Sequence, residues 1–201
     1  MTKAVVFAYH DVGVRCLSVL LAHGVDVALV VTHEDDPGEA IWFDSVAALA
    51  RRHDLPVVTP AGAKDAELAS RIAAIAPDFL FSFYYRRLIP ESLLRLARRG
   101  ALNMHGSLLP KYRGRSPVNW AIVNGEIETG ATLHHMTARA DAGAIVGQEA
   151  VSILGDDLAL DVFRKLTCAA ERLLDRTLPK LVDGSAVAVP QAEALATTFG
   201  G

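Results

Sequence analysis

The chain has 201 residues, 51% of them hydrophobic, which suits one ordinary domain able to fill a sizeable core. Lys and Arg number 20 against 23 Asp and Glu, and the formal charge of −3 gives no global field for a polyanion such as RNA, so a nucleic-acid partner is not expected. The first apolar run reaches His10 and Asp11 too soon to be a signal-peptide core, and no run approaches the roughly 18 apolar residues of a membrane helix. A cytoplasmic chain without membrane insertion is expected, with Cys16 and Cys168 reduced and buried as small hydrophobes in apolar helical patterns.

In chain order, short β-branched or aromatic runs alternate with longer Ala/Leu/Arg stretches. Strands are predicted over residues 4–8, 25–31, 56–58 and 78–82, and helices over 14–23, 45–53 and 65–76, the pattern of parallel strands joined by helical crossovers. The first half therefore reads as a doubly wound, mostly parallel, Rossmann-like α/β sheet. After Pro90 a helix is expected to about Arg98, then a strand from Ala101 through Met104 to His105, and a loop over residues 106–115. A helix over 117–124, strands over 130–136 and 144–153, and a long helix over 157–182 follow. Residues 1–185 are expected to form the catalytic domain, with 186–201 a weakly structured tail or the start of a linker to a further domain.

A dinucleotide site would need G-x-G-x-x-G after the first strand to bring backbone close to a pyrophosphate. The sequence there is Ala8-Tyr9-His10-Asp11-Val12-Gly13, with Gly13 alone, so a nicotinamide-dependent dehydrogenase loses its main support.

Chemistry concentrates at the end of the strand that closes at His105. Asn103 and His105 lie two apart and project to the same side, where the carboxyl edge of an open α/β sheet forms ligand crevices. A carboxamide N–H that donates to a developing oxyanion beside an imidazole that moves a proton suits acyl transfer. Asn103 capping a turn beside a merely hydrogen-bonded histidine is the plainer alternative. Asp141, between two predicted strands, can return a carboxylate to the same crevice and fix the imidazole's tautomer, or it can be an ordinary Asp-x-Gly turn.

Asn103-x-His105-Gly-Ser-Leu-Leu-Pro110-Lys-Tyr-Arg-Gly114-Arg-Ser-Pro117, followed by Asn124-Gly-Glu126, Thr129-Gly-Ala-Thr132-Leu-His134 and Ala140-Asp141-Ala-Gly143-Ala-Ile145, resembles the 10-formyltetrahydrofolate-dependent formyltransferase family. The resemblance covers essentially the whole chain. Within that family, Val5-Val-Phe-Ala-Tyr9-His-Asp11-x-Gly13, Thr32-His33, Pro37-Gly-Glu39 and Phe81-Ser-Phe-Tyr-Tyr-Arg86-x-Leu-Ile89 look most like enzymes of lipid A modification that formylate UDP-4-amino-4-deoxy-L-arabinose. The implied activity is transfer of a formyl group from 10-formyltetrahydrofolate to the amine of a UDP-linked amino sugar.

The resemblance assigns Asn103 and Asp141 to transition-state stabilisation and His105 to proton transfer. It places the folate against Arg87, Leu88, Ile89 and Arg115, and against Thr137, Ala138, Arg139, Ala140 and Asp141. Two departures stand: Arg87 occupies a position where the family carries histidine, and the chain ends before the barrel-like second domain of longer relatives. No metal is expected, because His134 and His135 are adjacent on a predicted strand and point to opposite faces. Lys111 and Arg113 are candidates for holding a nucleotide diphosphate, the plain alternative being a solvated basic loop. Tyr84 and Tyr85 either border the folate pteridine or belong to the core. Formylation of methionyl-tRNA, hydrolysis of the formyl folate and a non-catalytic folate-binding module are the competing functions.

Overall fold

A computed structural model describes residues 1–60 and 66–200, which fall into two compact units, Met1–Leu102 and Asn103–Gly201. Among the described residues seven strands belong to a mostly parallel sheet and two form a separate parallel pair, with helices between the strands, the α/β class that the alternation predicts.

The first unit carries β1 (Lys3–Ala8), α1 (His10–Ala22), β2 (Asp26–Val31), α2 (Val46–Arg52), β3 (Val57–Val58), α3 (Ala66–Ile75), β4 (Phe79–Phe83) and α4 (Glu91–Leu94). Its strands run parallel in the order β3-β2-β1-β4. The direction of winding reverses at β1, so the carboxyl ends of β1 and β4 form a topological switch point, where Tyr9 N–H donates to Phe83 O at 3.0 Å. Residues 4–8 and 79–83 are buried throughout, which explains why these strands read as continuous apolar runs without alternation. Helix α1 presents Val12, Cys16, Leu17 and Leu20 to the core at helical spacing.

Several boundaries differ from expectation. Helix α1 starts four residues early, at His10 in place of Val14. The helix after Pro90 stops at Leu94, because Arg98 N–H donates to Pro77 O and Arg99 N–H to Asp78 O, bonds that draw the chain out of helical geometry. The predicted helix start at Asp65 lies outside the described residues.

Strand β5 (Gly100–His105) runs across the unit boundary. The second unit continues with β6 (Arg113–Gly114), α5 (Pro117–Val123), β7 (Glu128–His135), β8 (Ile145–Ser152), α6 (Ala159–Asp183), a 3-10 turn (Glu193–Leu195) and β9 (Thr198–Phe199). Strands β7 and β8 pair antiparallel, and α6 packs ten residues spaced at helical intervals into the core, from Val162 to Leu181. Cys168 lies on the solvent side of that helix: it is exposed, which corrects the expectation of a buried thiol, whereas Cys16 is buried. Among the described residues no helix is long and apolar enough to cross a membrane.

The largest correction concerns the segment expected as a loose tail. Val189 bridges Ile145, β9 pairs in parallel with β6, and Phe199 stacks on Tyr112 at 5.2 Å and on Trp120 at 4.9 Å between ring centroids. The segment's apolar residues follow neither a helical nor a strand period, and its partners lie far back in the chain, so nothing local in the sequence shows how it is held. Gly114 is what lets β9 approach: its φ is +99°, and a Cβ there would sit 2.1 Å from Phe199 O. Gly114→Ala is therefore expected to break the β6–β9 pairing and to cost about 2–4 kcal/mol in urea unfolding.

Candidate active site

Strand β5 delivers two polar side chains at its carboxyl end, Asn103 half-buried and His105 buried. The period of two puts both on one face, while Leu102 and Met104 fill the core on the other. Asn103 Nδ2 lies 3.3 Å from His134 Nε2, on the neighbouring stretch of β7. His134 Nδ1 lies 2.8 Å from the carbonyl oxygen of His135. A carbonyl only accepts, so Nδ1 carries the hydrogen and Nε2 of the neutral ring accepts from the Asn103 amide. His105 obeys the same logic: Nε2 is 2.8 Å from Tyr112 O, so Nε2 carries the hydrogen and Nδ1 is the free basic nitrogen.

Asp141 closes the cluster. Its Oδ1 is 3.5 Å from His105 Nδ1 and 3.6 Å from His134 Nε2. Its Oδ2 accepts from Gly114 N–H at 2.9 Å. The residue sits at φ +54°, a left-handed conformation that Asp tolerates better than most residues and that turns its carboxylate onto the histidines. The cluster thus joins Asn103, His105 and Asp141, and adds His134, which sequence reasoning set aside after asking only whether it binds metal. The available signal was the alternation Thr132-Leu133-His134, which puts the two polar residues on one face of a strand and the leucine on the other. Among the described residues no group of three or more His, Cys, Asp or Glu is placed to hold a metal ion.

Burial pushes the Asp141 carboxyl upward, but the neighbouring His134 and His105 and the Gly114 N–H hold it down to about 2. Burial lowers the His105 pKa against the opposing pull of Asp141 and the Tyr112 carbonyl, so the ring is a neutral base over a wider range than a free imidazole. A free lone pair on His105 Nδ1 beside a fixed carboxylate can accept a proton and have the resulting charge stabilised at once. Asn103 keeps one amide hydrogen for a developing oxyanion.

The loop after β5 is held by polar bonds. Thr132 Oγ1 donates to Ser107 O at 2.6 Å and accepts from Leu109 N–H at 3.1 Å, and Ser107 Oγ donates to Lys111 O at 2.6 Å. These bonds put Tyr112 O against His105. Lys111 Nζ lies 3.5 Å from Glu126 Oε1. Arg113, expected to hold an anion, is 2% exposed and bonded to Gln191 and to both Glu193 oxygens, so that expectation is corrected. Of the other residues named in the second unit, Arg115, Thr137, Ala138, Arg139 and Ala140 are exposed. Thr137 Oγ1 donates to Arg139 O at 2.9 Å, and Arg139 Nη1 to Glu193 Oε2 at 3.0 Å.

In the first unit, Arg87, Leu88 and Ile89 follow β4; Leu88 is exposed, and Arg87 Nη1 donates to Pro60 O at 2.7 Å. Around the switch point, Arg86 forms a two-pronged ion pair with Glu39 and lies over the Tyr9 ring. Tyr9 OH donates to Asp35, and Tyr85 stacks on His33 and edges against Phe7, so Tyr85 belongs to the packing of this unit. Burial drops both His10 and His33 to about 4, which keeps these rings neutral near pH 7.

Solved structures share this fold. The N-formyltransferase from Helicobacter canadensis, in complex with folinic acid and dTDP-3-aminofucose, is 24% identical with a TM-score of 0.81, over 100% of this chain and 71% of that one. Phosphoribosylglycinamide formyltransferase from Bacillus halodurans is 26% identical with a TM-score of 0.77, over 90% and 95%. A formyltetrahydrofolate deformylase from Pseudomonas syringae pv. tomato is 26% identical with a TM-score of 0.76, over 90% and 62%. The architecture is therefore that of the formyltransferase fold. The chain belongs to the formyl transferase family, whose model matches residues 15–178.

The depressed Asp141 pKa has a consequence for acid stability. A carboxylate held at about 2, below its ordinary 3.8, stabilises the fold fully above about pH 4, and the contribution is lost as pH falls through about 2. Asp141→Asn is expected to remove about 2 kcal/mol of that dependence, seen as a flatter urea-unfolding stability profile below pH 4 than in the wild type.

Proposed function

We propose that this enzyme moves the formyl group of 10-formyltetrahydrofolate onto the amine of a nucleotide-linked amino sugar, with UDP-4-amino-4-deoxy-L-arabinose as the acceptor its sequence most resembles. The observation that carries the reading is the Asn103–His134–Asp141–His105 cluster in a chain of the formyl transferase family. Support for a sugar acceptor comes from the Helicobacter canadensis enzyme, solved in complex with folinic acid and dTDP-3-aminofucose. Thr137, Ala138, Arg139 and Ala140 are exposed, which leaves this stretch open to a folate. On this reading those residues, Asp141 and Arg115 bind the formyl donor.

The residues divide the work by what their hydrogens leave free. As an uncharged amine adds to the formyl carbon, oxygen takes up negative charge and Asn103 donates its second amide hydrogen to it. The amine nitrogen gains positive charge in the same step, and His105 Nδ1 accepts its proton, since Nε2 is already committed to Tyr112 O. Asp141 stabilises the resulting imidazolium across 3.5 Å. The same Nδ1–H then returns the proton to the departing folate nitrogen as the C–N bond breaks. Asn103, His134 and Asp141 remain linked throughout, so the donor amide does not have to reorganise.

Formyl transfer to a panel of UDP- and dTDP-linked amino sugars, glycinamide ribonucleotide and methionyl-tRNA, with formate release measured without an acceptor, tests the assignment. Turnover confined to tRNA or to formate release overturns it. Asn103→Ala, His105→Ala and Asp141→Ala are each expected to lower kcat about a hundredfold or more with the fold intact by circular dichroism. Because burial lowers the His105 pKa, the acid limb of kcat is expected below the ordinary histidine value of about 6.5. The acceptor amine must be uncharged as well and adds a limb of its own at higher pH, so a low-pH limb that stays unchanged in His105→Ala removes His105 as the base.

A further inference from the structure

We propose that residues 189–200 are a strap that holds Asp141 in its working position, and that Gln191 is a positioning residue for formyl transfer. The inference rests on the function proposed above and adds a residue that touches none of the reacting atoms. Gln191 uses its whole carboxamide. Its Nε2 donates to Asp141 O and to Gly143 O, both at 2.8 Å, so its two hydrogens grip the turn on either side of Ala142. Its Oε1 accepts from Arg113 Nη2 at 2.7 Å and from Nε at 3.2 Å. Arg113 precedes Gly114, whose N–H holds the Asp141 carboxylate at 2.9 Å. One side chain thus fixes the main chain of Asp141 and the strand that orients its carboxylate.

Such a clamp has something to oppose. A left-handed non-glycine residue is strained and persists only where its surroundings over-determine it, and Asp141 stands at φ +54°. The neighbouring Gly143 is packed so closely that a Cβ there would lie 1.9 Å from His135 O, which ties the turn to the end of β7 and to the carbonyl that orients His134. The strap itself is anchored beyond Gln191. Glu193 pairs with Arg113 and Arg139, Thr197 Oγ1 accepts from Tyr112 N–H at 2.8 Å, and Trp120 Nε1 donates to Gly200 O at 3.0 Å. The Thr197 bond falls on the residue whose carbonyl orients His105, so both imidazoles and the carboxylate are set by contacts that return to this segment.

The test reads the electrostatic coupling that Gln191 is placed to maintain. His105 faces Asp141, His134 and the Tyr112 carbonyl; Asp141 faces both histidines and the Gly114 N–H; and Arg113, Arg139 and Glu193 form the charged group behind the turn. Asp141 raises the His105 pKa. If Gln191 holds Asp141 in place, Gln191→Leu lets the carboxylate drift, and the His105 ring midpoint followed by NMR in the ligand-free protein falls by about half a pH unit or more. The acid limb of kcat moves down with it. A residue that only stabilises the fold would lower Tm and leave both midpoints where they are, and that result overturns the proposal. Gln191→Glu keeps the acceptor for Arg113 but has no N–H for the two carbonyls. It is expected to fold and to lose about tenfold in kcat at a KM for the formyl donor within about twofold of wild type. Unchanged kcat in that variant also overturns the proposal, including when the leucine variant fails to fold. If the wild type transfers no formyl group at all while Gln191→Leu still moves the His105 midpoint, the positioning stands and the functional reading falls.

Discussion

The carboxylate of Asp141 is the constraint on which the second unit depends. Burying a charge is costly unless it is paired and hydrogen-bonded, and Asp141 meets that requirement with one backbone N–H and two imidazoles. Each imidazole is committed on its other side to a main-chain carbonyl, Tyr112 O for His105 and His135 O for His134. With their hydrogens so placed, neither neutral ring has one to give the carboxylate, and the Gly114 N–H is its donor. Only a proton arriving from outside completes the set, which makes the cluster a trap for a proton in its resting state. Asn103 satisfies His134 and so leaves His105 as the nitrogen with a lone pair to offer.

Arg113 supplies the mechanical counterpart. A guanidinium that is 2% exposed would be strongly destabilising alone, and its nitrogens are met by Gln191 and both oxygens of Glu193. The partners lie 78 and 80 residues further along the chain. Removal of Gln191 and Glu193 leaves the buried guanidinium unpaired, so β6 depends on the segment around the 3-10 turn. That dependence explains how a segment with no buried residue in its 3-10 turn is nonetheless held beside β6.

Much of the fold was legible because its signals are local and apolar. The fully buried runs at residues 4–8 and 79–83, the period of α6 and the same-side pair Asn103 and His105 all follow from side-chain periodicity within one element. The features that were missed are set by distant partners. Arg113 and Lys111 are both basic residues of one loop, and nothing local distinguishes the one that turns inward to Glu193 from the one that stays at the surface near Glu126. Cys168 failed for a related reason: α6 is long enough that a cysteine within an apolar pattern can still fall one position off the buried stripe. Helix α4 was overestimated because helical propensity past Leu94 lost to two backbone bonds with residues 77 and 78.

His134 was missed by asking a single question of it. Two adjacent histidines on a strand do point apart, which disposes of a shared metal ion but says nothing about the inward one. The physical difference between the two is what each ring faces. His134 is 1% exposed and sits between a carboxamide and a carboxylate, whereas burial and then the neighbouring His134 lower His135, with no carboxylate among the causes. A neutral ring that accepts from Asn103 fixes the amide's orientation, because only the nitrogen end of the carboxamide can donate to it. The remaining amide hydrogen is then aimed without any rearrangement, and that preorganisation is what an oxyanion donor needs in order to act on the transition state more strongly than on the ground state.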